Sequence, residues 1–276
     1  MNRIALEVLI SQALQEDIGF GDITSEAIFT DDHESKGYLL AKQDMILAGR
    51  EVFTHVFRML DERIGVEWHR QDGDAVQKGD IFAHFYGPTR SLLSGERVAL
   101  NFLQRMTGIA TETRKYVAAC AHSGAVIVDT RKTTPGLRML EKYAVTAGGG
   151  SNHRYGLDTM VMIKDNHSKA AGGIVPAVQS VRSRVSPFIK IEVETESLAE
   201  VREALASGVD VIMLDNMPLD VVEEAVRLIN HRALVEVSGN VTLETVAKLA
   251  ATGVDIISSG ALTHSVAAAD ISMKME

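Results

Sequence analysis

Apolar and polar residues repeat at two different spacings along the chain, and the pattern changes after about residue 105. Before that point, residues 5–18 have the periodicity of a helix, while the apolar runs at 36–49 and 81–85 are typical of strands. Asp72-Gly73-Asp74 and Lys78-Gly79-Asp80 are turn signals between them. The first part of the chain is therefore predicted to be a small unit of mixed helix and strand.

Beyond a predicted long helix over residues 89–121, short β-branched runs alternate with helical stretches. Each run is apolar throughout, as expected for strands that are covered on both faces. The repeated β-then-α order favours a parallel sheet. The predicted strands are 126–128, 160–163, 188–191, 211–214, 233–235 and 256–257, and the predicted helices between them are 197–207, 218–230 and 242–252.

Polar or charged residues follow nearly every one of these strands. In (β/α) barrels the chemistry lies at the carboxyl ends of many strands, whereas an open doubly wound sheet concentrates it at one switch point. Six strands are fewer than the usual eight, so a smaller or incomplete barrel is predicted. The strand-end segments are Asp129-Thr130-Arg131-Lys132, Lys164-Asp165-Asn166-His167, Glu192-Val193-Glu194, Asp215-Asn216, Glu236-Val237-Ser238-Gly239-Asn240 and Ser258-Ser259-Gly260.

The bulk composition is that of a globular protein with one large or two unequal domains. The chain has 276 residues, of which 46% are hydrophobic and 24% charged. It has no apolar run of roughly 18 residues and no signal-like apolar stretch at the N-terminus, so no membrane partner is expected. Cys120, the single cysteine, cannot form an internal disulfide or a Cys-rich metal site. A reducing cytoplasmic location is the expectation.

Charge is distributed unevenly along the chain. The formal net charge is -9, which argues against nucleic-acid binding through a general basic surface. Residues 129–169, however, contain seven Lys/Arg against four Asp/Glu, a local charge of +3. This segment could form a pocket for a small anion, or it could be a salt-bridged or solvated surface. Charge alone leaves both interpretations open.

The strand ends together offer the groups that a sugar-phosphate donor and an anionic acceptor would need. Cationic side chains bind carboxylates and phosphates, glycine-containing turns expose N–H groups to phosphate, and two carboxylates could hold a divalent metal or vicinal hydroxyls. The glycine run at 148–150 follows a helical segment and is not interpreted as a dinucleotide loop. The candidates are Arg131, Lys132, His153, Arg154 and Lys164, the acids Glu194 and Asp215, and the turns Ser238-Gly239-Asn240 and Ser259-Gly260-Ala261.

Several motifs occur in order over nearly the whole chain. They are Glu16–Ser25, Gly95-Glu96-Arg97-Val98-Ala99-Leu100-Asn101, Asp129-Thr130-Arg131-Lys132-Thr133-Thr134-Pro135-Gly136-Leu137-Arg138, Glu141-Lys142-Tyr143-Ala144-Val145, Gly148-Gly149-Gly150-Ser151-Asn152-His153-Arg154, Ile163-Lys164-Asp165-Asn166-His167 and Gly260-Ala261-Leu262-Thr263-His264-Ser265. Together they resemble the quinolinate phosphoribosyltransferase family, also called nicotinate-nucleotide pyrophosphorylase (carboxylating). The resemblance implies transfer of a phosphoribosyl group from phosphoribosyl pyrophosphate to quinolinate, with decarboxylation.

The resemblance also implies a domain organisation. It predicts an N-terminal α/β sandwich domain over residues 1–105, joined by the C-terminal residues 265–276. Residues 106–264 would form a (β/α) barrel of about six parallel strands. Family members are dimers in which each active site is completed by the neighbouring subunit, and some assemble further. A homodimer with shared active sites, possibly within a higher oligomer, is therefore the expectation.

Roles for individual residues follow from the same resemblance. Arg97 would enter the quinolinate site across the dimer, and the substrate carboxylates would be bound by Arg131, His153 and Arg154 next to Thr130. The resemblance places Lys132 and Lys164 between quinolinate and pyrophosphate, and Glu194 and Asp215 at the ribose and the expected cofactor Mg²⁺. The phosphate would be held by Ser238, Gly239, Asn240, Ser259, Gly260 and Ala261.

Two rival interpretations remain at this point. A molybdenum-associated family shares the Thr130-Arg131-Lys132 motif and the barrel but lacks the lysine that this chain has at Lys164. A non-catalytic binding protein of the same fold would have lost a carboxylate or a substrate-binding cation. No such group is missing from the candidate set, so an enzyme is the favoured prediction.

Overall fold

The computed structural model describes all 276 residues, which form eleven helices and twelve strands. No helix is long and apolar enough to cross a bilayer. The helices are α1 (Arg3–Ile18), α2 (Ile23–Ile28), α3 (Arg50–Leu60), α4 (Thr89–Ala119), α5 (Arg138–Ala147), α6 (Asp165–Ala171), α7 (Ile174–Arg182), α8 (Leu198–Ala206), α9 (Leu219–Ile229), α10 (Val246–Ala251) and α11 (Ala261–His264). The strands are β1 (Glu34–Ala41), β2 (Met45–Ile46), β3 (Gly65–Trp68), β4 (Ala75–Val76), β5 (Ile81–Pro88), β6 (Val126–Val128), β7 (Val161–Ile163), β8 (Ile191–Thr195), β9 (Val211–Asp215), β10 (Leu234–Ser238), β11 (Ile256–Ser258) and β12 (Ile271–Met275).

The residues divide into two compact units. The first comprises Met1–Arg114, Thr134–Gly149 and Val266–Glu276, and the second comprises Lys115–Thr133 and Gly150–Ser265. The first unit contains an antiparallel sheet in the order β12-β1-β5-β3 and a small β2–β4 pair. Because the last strand, β12, pairs with β1, the end of the chain belongs to the first unit.

The core of the first unit is built from the apolar face of its helices and sheet. On α1 the buried residues Leu6, Ile10 and Leu14 follow one another at intervals of four, as the sequence pattern predicts. Phe53 and Phe57 on α3 are fully buried and pack edge to face, with ring centroids 5.1 Å apart.

Helix α5 lies in the first unit, whereas the sequence prediction placed it in the barrel domain. The fully buried Glu141 accepts hydrogen bonds from Arg105 of α4, at 2.8 and 3.1 Å, and the Tyr143 hydroxyl donates to Asp72, at 2.7 Å. These contacts join residues distant in sequence. For this reason a single boundary at residue 105 does not describe the division.

The second unit is a sheet of six parallel strands in the order β6-β11-β10-β9-β8-β7, with helices between successive strands. The predicted fold class, a small α/β domain followed by an incomplete barrel of six parallel strands, is confirmed. Hydrogen bonding does not close between β6 and β7. At the open edge, Ser151 makes a single parallel bridge to Val128, which aligns the following residues beside β6.

Three predicted elements have different bounds in the structure. The predicted strand 36–49 is two strands, β1 and β2, because β1 and β2 pair with different partners. The predicted strand at 188–191 begins only at Ile191, since a Ser186–Ile189 turn precedes it and Phe188 is 94% exposed. The helix expected from about residue 242 is α10, which starts at Val246 after a turn.

Candidate active site

A cavity of about 550 Å³ opens at the carboxyl ends of the parallel strands and is lined entirely by residues of the second unit. Every predicted site residue except Arg97 lines it. Those residues are Thr130, Arg131, Lys132, His153, Arg154, Lys164, Glu194, Asp215, Ser238, Gly239, Asn240, Ser259, Gly260 and Ala261. Arg97 is an exposed residue of α4 in the first unit.

The cationic wall of the cavity comes from the ends of β6 and from the segment beside it. Lys132 follows β6, and its backbone N–H donates to Thr130 Oγ1 at 3.0 Å. Arg154 follows the Ser151 bridge, and its guanidinium donates to the Met160 carbonyl at 3.2 Å. Burial, and then the charge of Arg131, lower the pKa of Arg154. Two guanidinium groups close enough to repel one another favour an anionic ligand between them.

The acidic side of the cavity comes from β8 and β9. Glu194 Oε2 lies 2.6 Å from Lys164 Nζ, so the amine at the end of β7 is paired with the carboxylate of the next strand. Asp215 ends β9 and accepts a hydrogen bond from the Asn216 side chain at 3.0 Å. Parallel strands end at the same edge of a sheet, which is why these side chains converge although they are distant in sequence.

The turn after β10 requires glycine for two reasons. Gly239 has a φ of 88°, which disfavours residues with a Cβ, and a Cβ there would lie 2.2 Å from Asn216 Oδ1. Asn216 Oδ1 also accepts a hydrogen bond from the Asn240 side chain at 2.9 Å. Asn216 thus connects the end of β9 with the turn after β10, and the residues of that turn line the cavity.

A second small-residue turn follows β11. A Cβ on Gly260 would approach Lys132 Cδ to 2.8 Å and His264 Cδ2 to 2.9 Å, so glycine makes room for both side chains. Thr263 Oγ1 donates to the Lys132 carbonyl at 2.8 Å. Through these contacts the turn after β11 supports the backbone that carries Lys132.

The ring and the backbone of His153 both contact other groups of the protein. Its Nε2 lies 3.2 Å from both Glu192 Oε2 and Glu236 Oε2, and the Arg154 backbone N–H donates to its Nδ1 at 2.8 Å. The fully buried Asp129 accepts the His153 backbone N–H at 2.9 Å. The predicted role of His153 as a ligand of the substrate carboxylates stays a prediction: the residue lines the cavity, and its two ring nitrogens face protein groups.

The surroundings of His153 and Glu192 shift the pKa values of both side chains. Burial by itself lowers the pKa of His153, but hydrogen bonds to Glu192 and Glu236 raise it, which favours a hydrogen on the ring nitrogen that faces them. Burial also raises the pKa of Glu192. The Arg154 N–H at Nδ1 opposes a second ring hydrogen, so the hydrogen facing the carboxylates is the one on Nε2.

Sequence reasoning did not single out several residues of this region, among them Asn216, His264, Glu236 and Glu192. Asn216 and His264 line the cavity, and Glu236 lines it one layer below Ser238. Glu192 and Glu236 stand two residues before Glu194 and Ser238, on the same face of their strands. The period of two along a strand was the signal that could have found both glutamates.

The chain is similar to known proteins over its full length. Residues 22–107 match the model of the "Quinolinate phosphoribosyl transferase, N-terminal domain" and residues 109–274 that of the "C-terminal domain". It is 47% identical over 273 residues to the probable nicotinate-nucleotide pyrophosphorylase [carboxylating] of Bacillus subtilis, covering 99% of this chain and 94% of that protein. It is 49% identical over 290 residues to quinolinate phosphoribosyltransferase [decarboxylating] 1b of Nicotiana tabacum, covering 98% and 82%.

Solved structures agree with the sequence relatives. The crystal structure of NadC from Streptococcus pyogenes has a TM-score of 0.97 and 42% identity to this chain, and the match covers 100% of this chain and 98% of that one. The family predicted from the motifs is therefore confirmed. Both family domains and full-length relatives of this similarity show that the chain belongs to the quinolinate phosphoribosyltransferase family.

Proposed function

We propose that the chain transfers the phosphoribosyl group of phosphoribosyl pyrophosphate to the ring nitrogen of quinolinate and releases CO₂. The products are nicotinate mononucleotide and pyrophosphate, which places the reaction in de novo NAD biosynthesis. The main supporting observation is that one cavity is lined by the guanidinium groups of Arg131 and Arg154 and also by the Lys164–Glu194 pair and Asp215. An aromatic dicarboxylate and a sugar pyrophosphate need opposite surroundings, and this cavity offers both.

Quinolinate would lie against Arg131 and Arg154. Its two carboxylates match two guanidinium groups, and a second carboxylate is what distinguishes it from nicotinate. Binding both carboxylates also fixes the ring nitrogen relative to the anomeric carbon of the donor. Positioning of this kind contributes on the order of 7–11 kcal/mol in well-oriented reactions. Nicotinate would lack one of these two carboxylate contacts and should react poorly.

The donor would lie against the two small-residue turns. Backbone N–H groups of Ser238-Gly239-Asn240 and Ser259-Gly260-Ala261 would bind the phosphate, while Glu194 and Asp215 would face the ribose hydroxyls. The lining of the cavity supports this, because residues of both turns border it together with Glu194 and Asp215.

The two carboxylates also fit the expected Mg²⁺. This ion is commonly bound through one or two carboxylates together with substrate phosphates and water, which matches a pair such as Glu194 and Asp215. When bound, Mg²⁺ would supply positive charge to the departing pyrophosphate. Glu194 also holds Lys164 in place, so its carboxylate serves the chain's own cation as well.

The chain's own residues then account for the chemical steps. Loss of pyrophosphate leaves oxocarbenium character on the ribose, and the ammonium groups of Lys132 and Lys164 would stabilise the leaving charge. Bond formation makes the pyridine nitrogen cationic. The cationic ring accepts the electron pair of the adjacent carbon–carboxylate bond as CO₂ leaves, and that carbon then takes up a proton. No redox or pyridoxal cofactor is needed for this sequence.

We further propose that the site is completed in a homodimer. Arg97 is exposed on α4, and the family resemblance assigns it to the quinolinate site of the neighbouring subunit. A third guanidinium donated by the partner would complete the surroundings of a dianion. A reducing cytoplasmic location fits the single buried thiol of Cys120.

A product assay tests the function. Protein, quinolinate, phosphoribosyl pyrophosphate and Mg²⁺ should give nicotinate mononucleotide by mass spectrometry, and nicotinate in place of quinolinate should give little. Folded protein that forms no product would refute the proposal. The molybdenum-associated alternative is not favoured, because Lys164 is present and lines the cavity.

A further inference from the structure

A pair of buried carboxylates lies at the base of the substrate cavity, where Glu236 lines the cavity and Glu192 lies beside it. Glu192 of β8 and Glu236 of β10 have relative exposures of 0% and 1%, and each has an oxygen 3.2 Å from His153 Nε2. Side chains alternate along a strand, so the pair lies one layer deeper than Glu194 and Ser238. None of the roles assigned above to substrate-binding groups uses these two glutamates.

The charges in this layer do not balance. Two carboxylates share the single Nε2 hydrogen, and both oxygens of Glu192 and Oε1 of Glu236 lack a well-aligned hydrogen bond. Burying a carboxylate without full compensation costs several kcal/mol, and apolar residues of similar size would usually be no less stable there. A gain in stability does not explain the pair, so its effect on neighbouring groups is the better explanation.

The group that the pair holds is the His153 ring. Nε2 faces the two carboxylates, Nδ1 accepts the Arg154 N–H, and the His153 backbone N–H donates to Asp129. The ring therefore has one orientation, and the next residue begins from a fixed backbone position. That residue is Arg154, whose guanidinium is further held by the Met160 carbonyl and the Met162 sulfur, at 3.2 and 3.4 Å.

We propose that Glu192 and Glu236 are positioning residues that act through His153 to set the place of Arg154 in the cavity. The proposal rests on the proposed function in one respect, namely that Arg154 binds the aromatic dicarboxylate. The path runs from the carboxylate pair to the imidazole ring, from the ring to the Arg154 backbone, and from there to the guanidinium. A loosened ring would leave the phosphoribosyl donor's side of the cavity unchanged.

The same three side chains have the composition of a metal site, and their nearest ligand atoms lie within 4.8 Å of one another. The geometry favours a hydrogen-bonded cluster instead. Nε2 lies 3.2 Å from one oxygen of each carboxylate, and the Arg154 N–H at Nδ1 leaves the ring hydrogen on Nε2, facing both acids. A metal ion would need the lone pair of that same nitrogen.

The test uses the full-length protein with Glu192→Gln and Glu236→Gln, each of which removes a charge at nearly constant volume. Titration calorimetry with quinolinate alone should show an affinity loss of about tenfold to hundredfold, as for other residues that orient a binding group. Affinity for phosphoribosyl pyrophosphate should stay within about twofold. Glu203→Gln on the exposed side of α8 is the matched control and should change neither affinity.

A double-mutant cycle shows whether the effect passes through His153. If it does, Glu236→Gln should weaken quinolinate binding in the parent protein but add little to His153→Asn. Additive losses would overturn the proposal, as would equal losses for both ligands. Because either single glutamine variant can be measured, misfolding of one still leaves the other as the test.

Two further readouts separate the remaining outcomes. The ¹⁵N spectrum of His153 should show the hydrogen on Nε2 in the parent and a changed Nε2 signal in Glu236→Gln. Metal analysis of purified protein should find no stoichiometric ion that depends on Glu192 and Glu236. Such an ion would overturn the positioning role. An inactive parent protein that still binds quinolinate selectively would refute the proposed function and leave this inference standing.

Discussion

Lys164 Nζ and Glu194 Oε2 lie 2.6 Å apart and join the end of β7 to β8 inside the substrate cavity. Glu194 is largely buried and Lys164 is more accessible, at 10% and 43% side-chain exposure. The carboxylate therefore holds an ammonium group that can still reach a ligand. This relationship gives Glu194 a second task beside its proposed contact with the ribose and Mg²⁺.

Glu194→Gln should lower kcat by about 10–100-fold, because an electrostatic group at the leaving charge would lose its orientation. Lys164→Gln should have an effect of similar size, and the double variant should lose much less than the product of the two. Steady-state kinetics of the three variants checks this. Asp165→Asn, which removes the exposed Asp165–Lys169 pair, is the control and should leave the rate nearly unchanged. Fully multiplicative effects of Glu194 and Lys164 would contradict the coupling.

The cationic and the acidic groups of the cavity should contact different substrates. Arg154→Ala should weaken quinolinate binding by about 2–4 kcal/mol, since a charge-assisted contact loses one partner. It should leave binding of phosphoribosyl pyrophosphate largely intact. Asp215→Asn should show the reverse and reduce the dependence on Mg²⁺. Calorimetric titration of each variant with each ligand measures both effects. Equal weakening of the same ligand by both substitutions would show that the walls are not divided in this way.

Gly239→Ala should weaken binding of the phosphoribosyl donor by about tenfold. The added Cβ would lie 2.2 Å from Asn216 Oδ1, and the φ of 88° adds backbone strain of about 1–2 kcal/mol. Gly172→Ala separates the two causes, because Gly172 also has a positive φ, of 85°, but nothing within 4 Å of its Cβ position. Thermal unfolding should show a loss of stability in both variants, and only Gly239→Ala should lose donor affinity. A similar loss of affinity in both would point to strain alone.

The position of the site was accessible from the sequence because parallel strands end at a common edge. Polar residues after short apolar runs were enough to bring Lys164, Glu194 and Asp215 together. The sequence did not separate residues that contact a ligand from residues below them, because Glu192 and Glu236 occur in the same polar segments as Glu194 and Ser238. The period of two places both glutamates on the same strand face as Glu194 and Ser238, but only the structure shows that they are buried against His153. The resemblance implies a role for His153, whereas the contacts of its two ring nitrogens depend on the next residue and on acids from two other strands of the folded chain.

The local hydrophobic pattern also gave wrong element bounds and a wrong domain assignment where contacts between distant residues determine the structure. Phe188 begins an apolar run, yet its side chain is 94% exposed and the strand starts three residues later. The helix α5 follows a barrel strand in the sequence, but the Glu141–Arg105 and Tyr143–Asp72 contacts join it to the first unit. Such contacts depend on residues tens of positions away, which a local period of hydrophobicity does not record.

Arg97→Ala and Lys132→Ala homodimers should each be nearly inactive if Arg97 serves the neighbouring subunit. After subunit exchange, the mixture should regain activity, because each heterodimer holds one site with neither defect. At equal amounts of the two variants, half of the dimers are mixed and a quarter of all sites should be intact. Activity assays before and after exchange, with native mass spectrometry as proof of exchange, check this. Mixed dimers without recovery would place Arg97 in the site of its own chain.

The most direct measurement follows the carboxylate that is lost. Quinolinate labelled with ¹³C in the carboxylate next to the ring nitrogen is incubated with the protein, phosphoribosyl pyrophosphate and Mg²⁺. We expect ¹³CO₂, pyrophosphate and unlabelled nicotinate mononucleotide in equal amounts, and no ¹³CO₂ when the donor is omitted, because only ribosylation makes the ring an electron acceptor. A labelled nucleotide product, release of ¹³CO₂ without the donor, or no nucleotide at all from folded protein would contradict the proposed reaction.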